Sequence, residues 1–178
     1  MNVAAGPAVL HQAKAGEAHL VEQLGQLPHQ GWHVWHGLPL HNAGLDHLVV
    51  GPPGIFSIKT KNLSGRVRVL ERAIYVNGRL TDYRRKALIE SSWVAQRLRQ
   101  LSHQHFEVTP LLVFIAEEVV VRQKPDRFTA LAAHELQGWL TEQRRVLDEQ
   151  AIRNVCTWVA RWPRLPRSRP PVRVIKRS

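Results

Sequence analysis

The stretch Leu45–Lys61, LDHLVVGPPGIFSIKTK, decides how the chain folds. Leu45 to Val50 and Ile55 to Thr60 are rich in β-branched and apolar residues, and Gly51-Pro52-Pro53-Gly54 between them supplies the residue types that reverse a chain, so the segment is predicted to be a β-hairpin. Successive side chains of a strand alternate between its faces, so Ser57, Lys59 and Lys61 share one face while Ile58 and Thr60 point the other way. Two lysines side by side repel unless an anion or an acid lies near. Pairing of the two strands brings Asp46 towards the end of the second strand, where Lys59 and Lys61 stand. An acid and a lysine on adjacent strands can be no more than a surface cross-strand pair. The hairpin alone therefore leaves open whether this cluster does chemistry.

Working outward, Leu20, Leu24 and Leu27 form a helical stripe that starts near Lys14 and ends before Pro28, with Glu17 on the first turns. Trp32 to Leu38 opens the strands. Beyond the hairpin, Arg66 to Leu70 and Ala73 to Val76 read as shorter strands, and Asn77-Gly78 is a turn signal. Thr81 or Asp82 then caps a long helix in which Ala87, Ser91, Val94, Leu98 and Leu101 recur at steps of three and four. Leu111 to Ile115 is a continuous apolar run, as expected of a strand covered on both faces. Phe128 to Leu131 reads as a further short strand, followed by helices near residues 132–140 and 148–160. The order is α-β-β-β-α-β, an α/β protein without internal repeats.

Gly16-Glu17 at the start of the first helix, Leu45-Asp46-His47-Leu48-Val49-Val50-Gly51-Pro52, Gly54-Ile55-Phe56, Thr60-Lys61-Asn62 followed by Gly65, and Val76-Asn77-Gly78 together resemble the nuclease-related domain, NERD, a branch of the PD-(D/E)XK nuclease superfamily. The resemblance covers Ala15 to about Leu101 and continues more loosely to Ile115. It implies a restriction-endonuclease-like αβββαβ core, with a central mixed sheet flanked by helices and followed here by C-terminal helices. It also implies metal-dependent hydrolysis of phosphodiester bonds. Residue by residue, Glu17 matches the first-helix acid, Asp46 the motif aspartate and Lys61 the motif lysine. In such sites carboxylates hold Mg²⁺ or Mn²⁺, and the lysine positions or stabilises the attacking hydroxide.

Lys59 stands where the superfamily pattern has Glu or Asp. Two unit charges about 4 Å apart interact by roughly 4 kcal/mol at an effective dielectric near 20, and a divalent ion doubles this. Lys59 must swing away towards phosphate, or the metal does not bind, or an acid from another element takes over. Glu90 on the long helix is the candidate for a migrated metal ligand; the alternative is an exposed helical glutamate paired with Lys86, four residues earlier.

At 178 residues and 44% hydrophobic content the chain can fill one core. A single domain is expected over residues 10–162, followed by a basic Pro/Arg-rich tail at 163–178 that is extended or disordered. No basic segment leads into an apolar one and no run approaches about 18 apolar residues, so neither a signal peptide nor a membrane span is expected and the cytoplasm is the default location. With Cys156 alone there is no intramolecular disulfide and no cysteine-based zinc site.

The formal net charge is +11 and the sequence pI about 11.0. Arg161, Arg164, Arg167, Arg169, Arg173, Lys176 and Arg177 carry +7 of this, leaving +4 for residues 1–160. Such an arm either contacts phosphates, where counterion release favours binding regardless of sequence, or serves solubility. Arg84, Arg85 and Lys86 crowd the first turn of the long helix, where positive charge opposes the macrodipole at a cost of a few tenths of a kcal/mol each. They join Lys59 as candidate phosphate contacts, and Arg66, Arg68, Arg72 and Arg79 could extend the basic face. Trp32, Trp35 and Trp93 fit packing better than base stacking. Five of the ten histidines fall between His29 and His47. His33 and His36 lie on opposite faces of a strand and His47 points away from Asp46, so zinc binding is not expected.

No phosphate-binding glycine loop, Ser/His/Asp signature or HExxH motif supports NTP hydrolysis or proteolysis. The leading expectation is a nuclease-fold hydrolase domain that binds DNA, with RNA as the other polymer, and whose Mg²⁺- or Mn²⁺-dependent cleavage of phosphodiester bonds is weakened or lost. Glu17 and Asp46 would be its metal ligands and Lys61 its catalytic lysine. The alternative is a non-catalytic nucleic-acid-binding module with a decayed site, and a protein-interaction domain is the third. No membrane partner is expected, and the oligomeric state is not legible.

Overall fold

In the computed structural model, which describes residues 18–40 and 43–162, the expected hairpin lies at the centre of a five-stranded sheet. Its arms are β2 (Ala43–Gly51) and β3 (Gly54–Asn62), paired antiparallel with Val50 opposite Ile55 and Val49 opposite Phe56. β1 (His33–Leu40) adds antiparallel to β2. On the other side β3 runs parallel to the next strand of the sheet, which starts at Val108. Between them the chain makes three short strands, β4 (Arg66–Val69), β5 (Ile74–Val76) and β6 (Arg79–Leu80), and the long helix α2 (Tyr83–Ser102). Residues 18–25 are helical and are termed α1. The remaining elements are β7 (Val108–Ile115), β8 (Glu118–Val121), β9 (Thr129–Ala132), a 3₁₀ turn (Ala133–Glu135), α3 (Leu136–Glu142) and α4 (Glu149–Ala160).

The strand order β1-β2-β3-β7-β9, antiparallel in its first half and parallel in its second, gives the mixed α/β core that the resemblance implied. Helices cover both faces. On one, Leu20 and Leu24 of α1, and Leu27 in the bend that follows a helix shorter than its apolar stripe suggested, join Leu136 and Leu140 of α3 against Val49, Phe56, Ile58, Leu111 and Val113. On the other, Val94 and Leu98 of α2 and Ile152, Val155 and Val159 of α4 pack on Leu48, Val50 and Ile55. β7 is buried continuously from Pro110 to Phe114, as its unbroken apolar run requires. Among the described residues no helix is long and apolar enough to cross a membrane. Glu17 and the tail from Pro163 lie outside the described residues.

The hairpin after β3 does not extend the central sheet. β4 and β5 pair with β6 and with β8, a strand that hydrophobic pattern alone did not single out, in a second sheet of order β6-β5-β4-β8. Val67, Val69 and Ile74 of this sheet pack with Ala87 of α2 and Phe114 of β7. The parallel pairing of β4 with β8 joins residues some fifty positions apart, for example Val67 and Val119, and no local signal announces it.

Two of the sequence landmarks hold this second sheet in place. Gly65 has φ of +94°, and a Cβ there would collide with the side-chain amide of Asn77. That amide accepts from the Arg66 backbone N–H and donates to the Ser64 carbonyl, both at 2.9 Å, fastening the start of β4 to the turn after β5. Gly65→Ala combines positive φ with displacement of this amide, and is expected to lower stability by about 2 kcal/mol. Urea unfolding of the variant beside the parent protein checks this, and an unchanged midpoint would refute the account.

Candidate functional site

The site lies where β2 and β3 cease to pair. His47 opposite Ile58 is the last pair of the ladder, and Asp46 is the next residue outward on β2. Its carboxylate bridges the gap to β3: Oδ2 accepts from the Thr60 backbone N–H at 3.1 Å, and Oδ1 accepts from Lys59 Nζ at 3.1 Å. Glu90 reaches the same ammonium from the middle of α2, its Oε1 3.2 Å from Lys59 Nζ. Glu90 comes into range because Ala87, Ser91, Val94 and Leu98 bury this face of α2 and bring the helix against the sheet. The helix thus presents Glu90 inward, 8% exposed, and not as a surface partner of Lys86.

One lysine is therefore held between two carboxylates, with side-chain exposures of 19% for Lys59, 22% for Asp46 and 11% for Glu90. Burial by itself would pull the pKa of the ammonium down, but Asp46 and Glu90 outweigh it, and the value is raised. Lys61, two residues further along the same face of β3, has a different environment. Among the described residues no carboxylate lies within ion-pair distance of it, and its Nζ sits 4.9 Å from the centre of the Tyr83 ring at the start of α2. Burial lowers its pKa, the charges of Lys59 and Lys86 push the same way, and Asp46 and Glu90 offset them only in part. The ring face favours the charged form, yet the net direction is down.

The three cations at the start of α2 are tied locally. Arg84 lies 3.4 Å from Asp126 and over the Phe128 ring, while Arg85 and Lys86 share the Asp82 carboxylate at 3.5 and 3.0 Å. Asp82 is the N-cap residue but makes no side-chain cap bond, because those cations engage its carboxylate. Arg85 and Lys86 nevertheless keep 68% and 54% of their side-chain surface, enough to meet a ligand, whereas Arg84 keeps 25%. Asp46, Lys59, Lys61 and Glu90 carry a signature in the sequence; Tyr83 and the Thr60 amide do not. A backbone amide carries no residue signature, and Tyr83 meets Lys61 only because α2 returns across the end of β3.

The opposite face of β2 holds a second arrangement. His36 and His47 are cross-strand partners, and their Nδ1 atoms lie 2.8 Å apart with the rings nearly perpendicular. His47 is buried, and its Nε2 has no hydrogen-bond partner among the described residues. A constant sum of paired residue numbers along the β1–β2 ladder would have found this pair once the register was known.

A mixed sheet with helices on both faces, and an aspartate and a lysine at the diverging ends of its central hairpin, define a nuclease-type fold of the PD-(D/E)XK kind. The model of the nuclease-related domain, NERD, matches residues 12–115, and the chain belongs to that family. No curated protein and no solved structure matches it.

Such a fold implies a divalent metal between its acids, and the chemistry of the donor set tests whether one fits here. Oxygen ligands approach Mg²⁺ to about 2.1 Å, so an ion shared by Asp46 and Glu90 would take the space of the Lys59 ammonium. That ammonium, paired with both carboxylates, already stands between them and offsets half of their charge. The arrangement of Asp46, Lys59 and Glu90 does not fit a divalent ion.

Proposed function

We propose that this domain is a nucleic-acid-binding member of the nuclease-related family in which Lys59 stands in for the metal and phosphodiester hydrolysis has been given up. The observation that carries this reading is the pair of contacts from Lys59 Nζ to Asp46 and Glu90, at 3.1 and 3.2 Å. A cation fixed by two acids cannot polarise water as a metal does, because it has no open coordination position. It can still leave the surface around Lys61 attractive to phosphate. Lys61, Arg85 and Lys86 provide the exposed or half-buried positive charge at this end of the sheet, and Arg68 and Arg79 of the second sheet are exposed as well. DNA is the polymer to test first.

The test is a pair of measurements on the full chain. Duplex DNA should bind with an affinity that falls steeply with salt and does not change between EDTA and Mg²⁺. Each of Lys61→Ala and Arg85→Ala should reduce the slope of log affinity against log salt by about 1 if the residue meets one phosphate. Supercoiled plasmid should remain uncut in Mg²⁺ or Mn²⁺. Nicking that requires metal and disappears in Asp46→Ala would overturn the proposal in favour of a working nuclease.

A further inference from the structure

The two lysines of β3 are chemically unequal in a way that phosphate binding does not use. Lys59 is locked by two carboxylates as a fixed cation. Lys61, on the same face two residues away, is half-buried against Tyr83 and lacks an acid partner among the described residues. A fixed cation beside a partly desolvated amine is a known way to activate a lysine as a nucleophile, because the second proton is held less tightly next to the first charge. Lys59 and Lys86 do push Lys61 in this direction, together with burial. Two other described lysines contrast with it: Lys86 is paired with Asp82, and Lys124 is exposed.

We propose that Lys61 is an amine nucleophile for an aldehyde, and that the aldehyde is the ring-opened deoxyribose at an abasic position in DNA. This rests on the nucleic-acid-binding reading, since that reading brings DNA to this end of the sheet. Intact DNA offers an amine no carbonyl at its sugars; an abasic position offers one at C1′. Tyr83, packed against the core with the amine over its ring, holds Lys61 in place and so fixes where the carbonyl must arrive. The step is a condensation. The Nζ lone pair adds to C1′, the carbonyl oxygen leaves as water with the two amine protons, and an imine joins the protein to the strand. No oxidant or metal enters. Asp46 and Glu90 act indirectly, as positioning residues that hold Lys59 charged beside the amine.

The experiment uses the full chain with an end-labelled duplex carrying one abasic position. Sodium cyanoborohydride reduces any imine to a stable amine, denaturing gels count the adduct, and peptide mapping locates it. Binding of the undamaged duplex is measured alongside. The expected result is an adduct on Lys61 that is lost in Lys61→Arg, which keeps the charge and the fold, and retained in Lys124→Arg. In Lys59→Gln the pH profile of adduct formation should move to higher pH, because the neighbouring cation is gone and Asp46 and Glu90 are left to hold the Lys61 proton. An adduct spread over Lys86 and Lys124, or unchanged in Lys61→Arg, while undamaged DNA still binds, overturns the inference and leaves the binding reading standing. Absence of both adduct and binding to undamaged DNA at low salt sinks the two together.

Discussion

Replacing Lys59 by methionine is expected to lower the stability of the fold by about 3 kcal/mol, the lower end of the cost of removing one partner from a buried ion pair. The cost is one of abandoned charge. Methionine fills similar volume, so the loss comes from Asp46 and Glu90, which would face each other across a gap with no cation between them. Their side chains are only 22% and 11% exposed, so water cannot fully take over from the ammonium. The Asp46 carboxylate also cannot turn away freely, because the Thr60 amide holds its second oxygen.

Lys59→Glu separates charge from packing. It places an acid at the position where the family pattern has one, and should destabilise the protein at least as much in EDTA. Its unfolding midpoint should then rise with Mn²⁺ concentration, as expected when an ion binds the folded state alone. The unsubstituted protein should show no such dependence at this site. Thermal unfolding across a Mn²⁺ series decides the matter: equal behaviour of the two proteins would remove the claim that Lys59 occupies the metal's place. The same ion pair has a signature at alkaline pH. The Lys59 pKa is raised above its ordinary 10.5, so its contribution is complete below that value and is lost as pH rises through the higher folded value.

Acid should act through a different group. Burial, then the neighbouring His36, hold His47 down from 6.5 to about 4; Lys59 adds to this and Asp46 opposes it. Between those two values the unfolded chain takes up a proton that the folded chain refuses, so stability falls as pH falls. One pKa unit corresponds to about 1.4 kcal/mol, which makes the loss on the order of 3 kcal/mol by pH 4. His36 is also lowered by burial and adds in the same direction. The physical origin is visible in the geometry. The Nδ1 contact between the rings needs one proton, not two, and the buried Nε2 of His47 has no acceptor among the described residues for another. Urea midpoints at pH 7 and pH 4.5 for the parent protein and His47→Phe give the measurement. The carboxylates contribute to acid loss in both proteins, so the difference between them reports His47. An identical loss in the two would show that His47 is not the group responsible.

These expectations draw on different depths of the sequence. Lys59, Asp46 and Lys61 were legible as a cluster because a hairpin with a Gly-Pro-Pro-Gly turn has few possible registers, and alternation then assigns faces. Glu90 was legible as a candidate only through the order of elements, and its inward direction follows from the stripe of Ala87, Ser91, Val94 and Leu98 around it. The histidine pair was not legible. His36 and His47 were read one strand at a time, and their meeting depends on the register between β1 and β2. Glu17, the remaining acid of the implied site, lies outside the described residues.

By itself, the sequence determined the α/β order of elements, the family and the departure at Lys59, because these are properties of local pattern and residue type. Only the tertiary structure decided what Lys59 does. A lysine side chain is long enough to reach solvent, a phosphate or a neighbouring acid, and its choice depends on which carboxylates the fold brings within about 3 Å and how much water it leaves around them. Here α2 delivers Glu90 and the end of β2 delivers Asp46, so the cation turns inward and Lys61 is left as the lysine without an acid partner among the described residues.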